Sequence, residues 1–154
     1  MAKTRTGVSI ASVGKALSRA LALLSRRAYT EAELREKLAE YPEAEVEAVL
    51  LRLREWGYLD DRKLAEAFVH RRARRYGPYR LARDLRARGV PEDLVGELVS
   101  DLAEEEAAVS LLSRRWSRYR GNRARAVRFL LGRGFSLEAA LSAFDRLQRE
   151  EASG

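Results

Sequence analysis

Cysteine is absent from the 154 residues. That absence excludes a disulfide scaffold, a thiolate zinc site, an iron–sulfur cluster and a cysteine nucleophile together. Histidine occurs once, at His70, which removes a His-rich metal centre and with it most metalloenzyme designs. Proline occurs only three times, and no stretch alternates apolar with polar residues, so there is no strand signal. No apolar run approaches the roughly 18 residues that cross a bilayer. The opening MAKTRTGVSI is basic but has no apolar segment behind it, so no secretory signal is expected. The phosphate loop GxxxxGK[ST], the dinucleotide fingerprint GxGxxG and the nucleophile elbow GxSxG are missing as well.

What is present is positive charge. Thirty Lys and Arg face 23 Asp and Glu, a net charge of +7. Only Lys3, Lys15, Lys37 and Lys63 are lysine; the rest are arginine. The planar guanidinium fork suits phosphate, carboxylate and aromatic partners better than a lysine point charge does. A basic surface of this kind favours nucleic acid or an acidic protein face. High-GC coding also favours arginine, and heat-adapted proteins carry many ion pairs, but neither says where arginine clusters.

Helix punctuation is legible along the chain. Residues 1–14 lack helical periodicity and read as a flexible basic tail. Thr30 with Glu33 is a capping box, Pro42 and Pro91 suit helix starts, and Gly57, Gly89 and Gly134 suit helix ends. Asp60 caps a helix running to about Tyr76, and Gly77-Pro78 breaks it. A further helix spans Ala107 to about Tyr119, Gly121-Asn122 form a loop, and Ser136 caps the last helix. Nine helices result, in three groups of three.

The groups are repeats. Leu17, Leu21 and Tyr29 correspond to Leu64, Phe68 and Tyr76, and then to Ala107, Leu111 and Tyr119. Leu34 and Leu38 match Leu81 and Leu85, then Ala126 and Leu130. Val46, Val49, Leu50 and Leu53 match Val95, Leu98, Val99 and Leu102, then Ala140, Ala143, Phe144 and Leu147. These sets line one face of a helix, so each unit is a three-helix module of about 45 residues. The expected fold is all-α, with modules at 16–57, 58–102 and 104–148. Tandem modules with short links predict an elongated, curved, solenoid-like body.

Charge segregates by segment. Residues 71–88 hold Arg71, Arg72, Arg74, Arg75, Arg80, Arg83, Arg86 and Arg88 against Asp84 alone. Residues 114–133 hold eight arginines and no acid, and 91–106 hold seven acids and no base. The first module is acidic over 31–61, with ten acids against four bases. Few acids lie within helical reach of the arginine runs, so local pairing cannot neutralise them. Candidate partner- or DNA-binding residues are therefore Arg71, Arg74, Arg75, Arg80, Arg83, Arg86, Arg118, Arg123 and Arg125. Arg80, Arg83 and Arg86 point outward when Leu81 and Leu85 face inward. Arg72 and Arg115 fall inside apolar stripes and read as structural, snorkelling or paired with an acid such as Asp60 or Asp61. Tyr76 and Tyr119 repeat at a core position, whereas Tyr79 and Trp116 are candidates for stacking on unpaired bases. Asp60-Asp61 and Glu104-Glu105-Glu106 read as helix-start carboxylates, and His70 as a surface residue. No catalytic residue, cofactor or metal site is expected.

The run Gly57-Tyr58-Leu59-Asp60-Asp61, followed by Leu64-Ala65-Glu66-Ala67-Phe68-Val69, Arg72, Gly77-Pro78, Leu81, Leu85, Gly89 and Val90, resembles the RecX family of regulatory proteins. Arg27, Tyr29-Thr30-Glu31-Ala32-Glu33-Leu34 and Leu38 are similar to it too, as are Phe129-Leu130 and Arg133-Gly134-Phe135. The resemblance spans roughly residues 16–148. It implies a non-enzymatic modulator of the RecA recombinase, built from three tandem three-helix repeats. Such a protein binds RecA and its filaments on single-stranded DNA, with duplex DNA at most a weak ligand. It inhibits strand exchange, ATP hydrolysis and co-protease activity, and so bears on DNA repair and the SOS response. A monomer in the cytoplasm, away from membranes, is the corresponding expectation. Two other readings make different predictions. A stand-alone DNA-binding protein with a helix-turn-helix-like module would bind duplex without RecA, and a nuclease would lose metal-dependent turnover when Asp60 and Asp61 are neutralised.

Overall fold

The computed structural model describes residues 10–154, which form ten helices and connecting turns with no strand among the described residues. The helices are α1 (Ile10–Leu24), α2 (Glu31–Lys37), α3 (Glu43–Glu55), α4 (Asp61–Arg72) and α5 (Pro78–Ala87). They continue with α6 (Glu92–Ser100), α7 (Glu104–Ser113), α8 (Trp116–Tyr119), α9 (Arg123–Gly132) and α10 (Leu137–Ser153).

Most punctuation acts as its chemistry dictates. Thr30 and Glu33 complete the capping box on α2, and the side chains of Asn122 and Ser136 accept from Arg125 and Ala139 N–H groups at the starts of α9 and α10. Pro42 and Pro91 stand one residue before α3 and α6. Gly57 and Gly134 adopt φ of +79° and +92°, the left-handed region that only glycine enters freely. After α3 the Tyr58 N–H donates to the Leu53 carbonyl at 2.9 Å, and after α9 the Phe135 N–H donates to Leu130 at 3.1 Å. Both are six-to-one closures that satisfy the last free carbonyls of a helix.

Four features depart from the sequence reading. Helix α1 begins at Ile10, so residues 10–14 are helical where a tail is expected; Val13 packs against the first core, and that burial outweighs weak local propensity. The tail expectation for residues 1–9 lies outside the described residues. Second, Ala16 and Ala20 are fully buried, while Leu17 and Leu21 pack only at the edge of the core. Small side chains let α1 approach α3 closely, and the leucines cover the rim. Third, α4 stops at Arg72. The Tyr76 N–H turns back to the Arg72 carbonyl at 3.0 Å, and Gly77 precedes a proline, which disfavours helical geometry. Fourth, the helix expected over 107–119 is broken into α7 and α8, because Arg115 takes φ −122°. Trp116 then tilts onto Phe144 with ring centroids 5.0 Å apart.

Apolar residues collect in separate cores. One joins Ala16, Ala20, Tyr29, Leu34, Leu38, Val46, Val49, Leu50, Leu53 and Leu59. Another joins Leu111, Leu112, Tyr119, Ala126, Leu130, Phe135, Ala140, Ala143 and Phe144 with their neighbours. In the second module Ala65, Phe68, Val69, Leu81, Ala82, Leu85 and Val95 are buried. The chain condenses into two compact units. The first holds α1–α3, the start of α4 and Arg88–Val90; the second holds the remainder of α4, α5 and Pro91–Gly154.

Within each unit a glycine turn docks on the start of an earlier helix. In the first, the Thr30 hydroxyl donates to the Arg88 carbonyl at 2.6 Å while accepting from the Glu33 N–H at 3.0 Å. Arg88 donates to both Glu33 carboxylate oxygens, at 3.0 and 3.1 Å, and Gly89 leaves no room for a Cβ against Ala32. In the second, the Gly77 N–H donates to the Arg133 carbonyl at 2.7 Å and the Tyr79 N–H to Gly134 at 3.0 Å. A Cβ on Gly77 would stand 2.5 Å from the Gly134 carbonyl oxygen, and one on Gly134 would stand 2.6 Å from the Arg80 backbone nitrogen.

Two outcomes follow. Gly57 has open space around its Cα, so Gly57→Ala meets only the left-handed backbone and should cost about 1 kcal/mol. Gly134→Ala adds the collision with Arg80 and should cost about 2–5 kcal/mol in urea unfolding; equal losses would refute the tight junction. The second concerns Glu33. Burial pushes its carboxyl up, but the Arg88 hydrogen bond, the Thr30 N–H and the Arg88 and Arg27 charges outweigh it and hold the carboxyl below its ordinary 4.5. A depressed acid stabilises the fold above its unfolded pKa and loses that effect as pH falls through the folded value. Wild type should therefore exceed Glu33→Gln in Tm at pH 7, and the gap should close on acidification below about 4.5.

Candidate polyanion interface

The arginine-rich segments meet in the second unit. Arg71 and Arg72 end α4, and Arg74 and Arg75 sit in the turn that follows rather than on a helix. That turn is stitched to the third module through its backbone. Arg114 donates to the Arg74 carbonyl at 3.0 Å and Arg133 to the Arg75 carbonyl at 3.3 Å. Both donors consume main-chain acceptors and bring no negative charge, so the junction gathers cations. Arg114 and Arg133 were not among the candidates read from sequence. The repeat offered a signal for Arg133, since it occupies the position of Arg88 ahead of the corresponding glycine.

The structure divides the sequence candidates by what their guanidinium groups touch. Arg71, Arg74, Arg75, Arg118 and Arg125 are exposed, and no carboxylate among the described residues lies within ion-pair distance of them. Arg125 stands over the Tyr119 ring at 5.6 Å. Arg83 is exposed and shares Asp84 at 3.6 Å with Arg80 at 3.4 Å. Arg80 does not point freely outward. Its side chain is only 33% exposed, and its guanidinium lies 4.5 Å from the Tyr76 ring centroid.

Two candidates are already spent. Arg86 grips Glu92 through Nε and Nη2 at 2.8 and 2.6 Å, and Arg123 grips Asp145 at 2.9 and 2.8 Å. Bidentate forks of this kind are the strongest geometry available to the pair. The side-chain hydrogen bonds hold Glu92 and Asp145 below the usual carboxylate range and push Arg86 and Arg123 further up. Both partners come from a different helix, beyond the i±4 reach that a sequence count inspects.

The aromatic candidates separate too. Tyr79 is 67% exposed beside Arg80. Trp116 packs on Phe144 and donates its indole N–H to Glu151, which ties it into the third module instead of leaving it available for stacking. Arg72 and Arg115 are structural through rings rather than acids: Arg72 stands over Phe68 at 4.7 Å and Arg115 over Phe129 at 5.3 Å.

Of the carboxylates read as serving the helices they open, Asp60 caps its own helix, whereas Asp61 and Glu104 reach the starts of α2 and α10. Asp60 accepts from the Lys63 N–H at 3.0 Å, and Asp61 accepts from the Glu31 N–H at 2.9 Å. Burial, then the neighbouring charges of Asp60 and Glu33, push the Asp61 carboxyl up. Glu104 accepts from the Ser136 N–H at 2.7 Å and from its hydroxyl at 3.1 Å. A groove of about 330 Å³ beside Arg74 is lined by Tyr76, Pro78, Leu102, Ala107 and Phe135, with Glu104 and Glu106 also in its wall. No helix is long and apolar enough to cross a membrane, and no cluster of three metal-ligating side chains occurs among the described residues.

Comparison with known proteins adds the following. A family model described as the first three-helix domain of RecX matches residues 16–53, and one described as the second three-helix domain matches 60–98. A regulatory protein RecX of Thermus thermophilus is 55% identical over 141 residues, covering 91% of this chain and 96% of that one. RecX of Ralstonia nicotianae is 42% identical over 126 residues, covering 77% and 79%. The crystal structure of RecX from Lactobacillus salivarius shares the fold with a TM-score of 0.79 at 23% identity, over 92% of this chain and 99% of that one.

The sorting of arginines is testable on an immobilised polyanion such as heparin. Changing Arg71, Arg74, Arg75, Arg118 and Arg125 to Gln should lower the salt needed for elution, with far-UV circular dichroism unchanged. Arg86→Gln with Arg123→Gln should shift elution much less. The reverse ranking would refute the division.

Proposed function

The chain belongs to the RecX family, and on that premise we propose that it is a non-enzymatic regulator of the RecA recombinase. In this reading it binds RecA and RecA filaments on single-stranded DNA. There it restrains strand exchange, ATP hydrolysis and co-protease activity, and so modulates DNA repair and the SOS response. It acts in the cytoplasm as a monomer.

One observation carries the reading furthest. Arg71, Arg74, Arg75, Arg118 and Arg125 are exposed in the second unit with no carboxylate among the described residues in ion-pair reach, although the same chain pairs Arg86 and Arg123 with bidentate carboxylates. A protein able to pair its arginines internally, yet leaving a set at the α4–α5 turn and around α8 unneutralised, has a surface suited to an external polyanion. A nucleoprotein filament supplies one, as both DNA phosphate and acidic protein surface. The helical modules supply what such a regulator needs from its fold: rigid elements that hold cations at set spacings.

The decisive measurement is RecA ATPase on single-stranded DNA with purified protein added. Wild type should inhibit. The Arg71, Arg74, Arg75, Arg118 and Arg125 to Gln variant should need at least about tenfold more protein for the same inhibition, equivalent to about 1.4 kcal/mol of binding. Arg86→Gln with Arg123→Gln should stay near wild type. Wild type without any effect on RecA would sink the reading, and tight duplex binding in that case would favour a stand-alone DNA-binding protein.

A further inference from the structure

Repeat-related positions in the two glycine junctions carry opposite chemistry. At the first, Arg88 meets the Glu33 carboxylate at 3.0 and 3.1 Å, beside Tyr29, whose ring holds Arg27 at 3.7 Å. In the next repeat Tyr29 becomes Tyr76, Glu33 becomes Arg80, and Arg88 becomes Arg133. A close glycine approach is kept, Gly134 against Arg80 and Gly89 against Ala32, although the first junction uses the Thr30 hydroxyl where the second uses backbone N–H groups. The charge is not kept. Arg80 and Arg133 lie 4.5 and 5.6 Å from the centroid of the one Tyr76 ring, so a cation stands where the first junction has its anion.

Internal groups do not complete this second junction. Asp84 is 3.4 Å from Arg80 Nε and is shared with Arg83, and that buried Nε makes no hydrogen bond. Arg133 gives one hydrogen bond, to the Arg75 carbonyl at 3.3 Å, out of five donors on its fork. Two guanidinium groups around one ring repel each other, and an anion reaching both would relieve that repulsion. Exposed Tyr79 adjoins Arg80. An aromatic face next to paired cations matches a nucleic-acid strand, which offers bases to stack and charges at regular intervals.

We propose that the second junction is a phosphate-binding site, in which Arg80 and Arg133 take phosphodiester groups of single-stranded nucleic acid in the role that Glu33 fills for Arg88. The proposal rests on the RecA–DNA reading above and names a contact within it. Its distinguishing feature is that the first junction shows how to close the site: Arg80→Glu should recreate the Glu33–Arg88 pair with Arg133.

The experiment is binding of a fluorescein-labelled oligothymidylate by anisotropy across a KCl series, with Tm measured alongside. Arg80→Glu should keep or raise Tm and weaken binding, and its plot of log affinity against log salt should be shallower by about 1.4, two phosphate contacts at ~0.7 each. Arg133→Gln should flatten the slope by about 0.7, and it carries the test alone should Arg80→Glu fail to fold. Wild-type affinity and slope in a folded Arg80→Glu, or in Arg133→Gln, would overturn the site. So would variants that bind oligothymidylate normally but lose RecA ATPase inhibition, which would assign the junction to an acidic protein surface. No binding by wild type would overturn the site as well, while RecA inhibition in the same preparation would leave the proposed function standing.

Discussion

Two stretches of backbone can hydrogen-bond across a module boundary only where no side chain stands between them. The described residues meet that condition at Gly77 against Gly134; at Gly89 the close approach to the start of α2 is bridged by the Thr30 hydroxyl. Each contact places a left-handed turn, accessible to glycine, on the N-terminal end of another module's second helix. The arginines around Tyr76 have their positions because Gly134 lets the third module's turn reach Arg75, Gly77 and Tyr79. A Cβ at either glycine would separate these groups and scatter the charges they carry.

The same device also explains how a repeat can diversify without losing its fold. Close glycine approach and buried Leu or Ala are common to both junctions, and the polar groups at the rim differ. The rim is therefore free to vary. In one copy it carries Glu33 with Arg88, a closed pair; in the other it carries Arg80 with Arg133, an open one. An internal repeat then serves as its own comparison, since Arg88 has a carboxylate across its junction and Arg133 has an arginine there.

Much of the helical scaffold was legible beforehand because its signals are local. A capping box is decided by residues three apart, and a C-terminal glycine by a single φ, so Thr30, Glu33, Gly57 and Ser136 could be read without knowing the fold. The misreadings share one cause. Arg86 and Arg123 looked unpaired because their partners, Glu92 and Asp145, lie on other helices. Trp116 looked available because nothing near it in sequence announces Phe144 and Glu151. Ala16 and Ala20, rather than the larger leucines, line the α1–α3 contact, since close approach rewards small residues and no periodicity count weighs size that way.

From the order of residues alone came the helical class, the threefold repeat, the cluster of arginine in its second and third copies, and the family resemblance. Each depends on near neighbours or on comparing one stretch of chain with another. The tertiary structure decided which guanidinium groups are neutralised and which remain open. Electrostatic pairing is settled by distance in space, and a few ångströms across a helix interface separate a guanidinium paired with a carboxylate from one without such a partner.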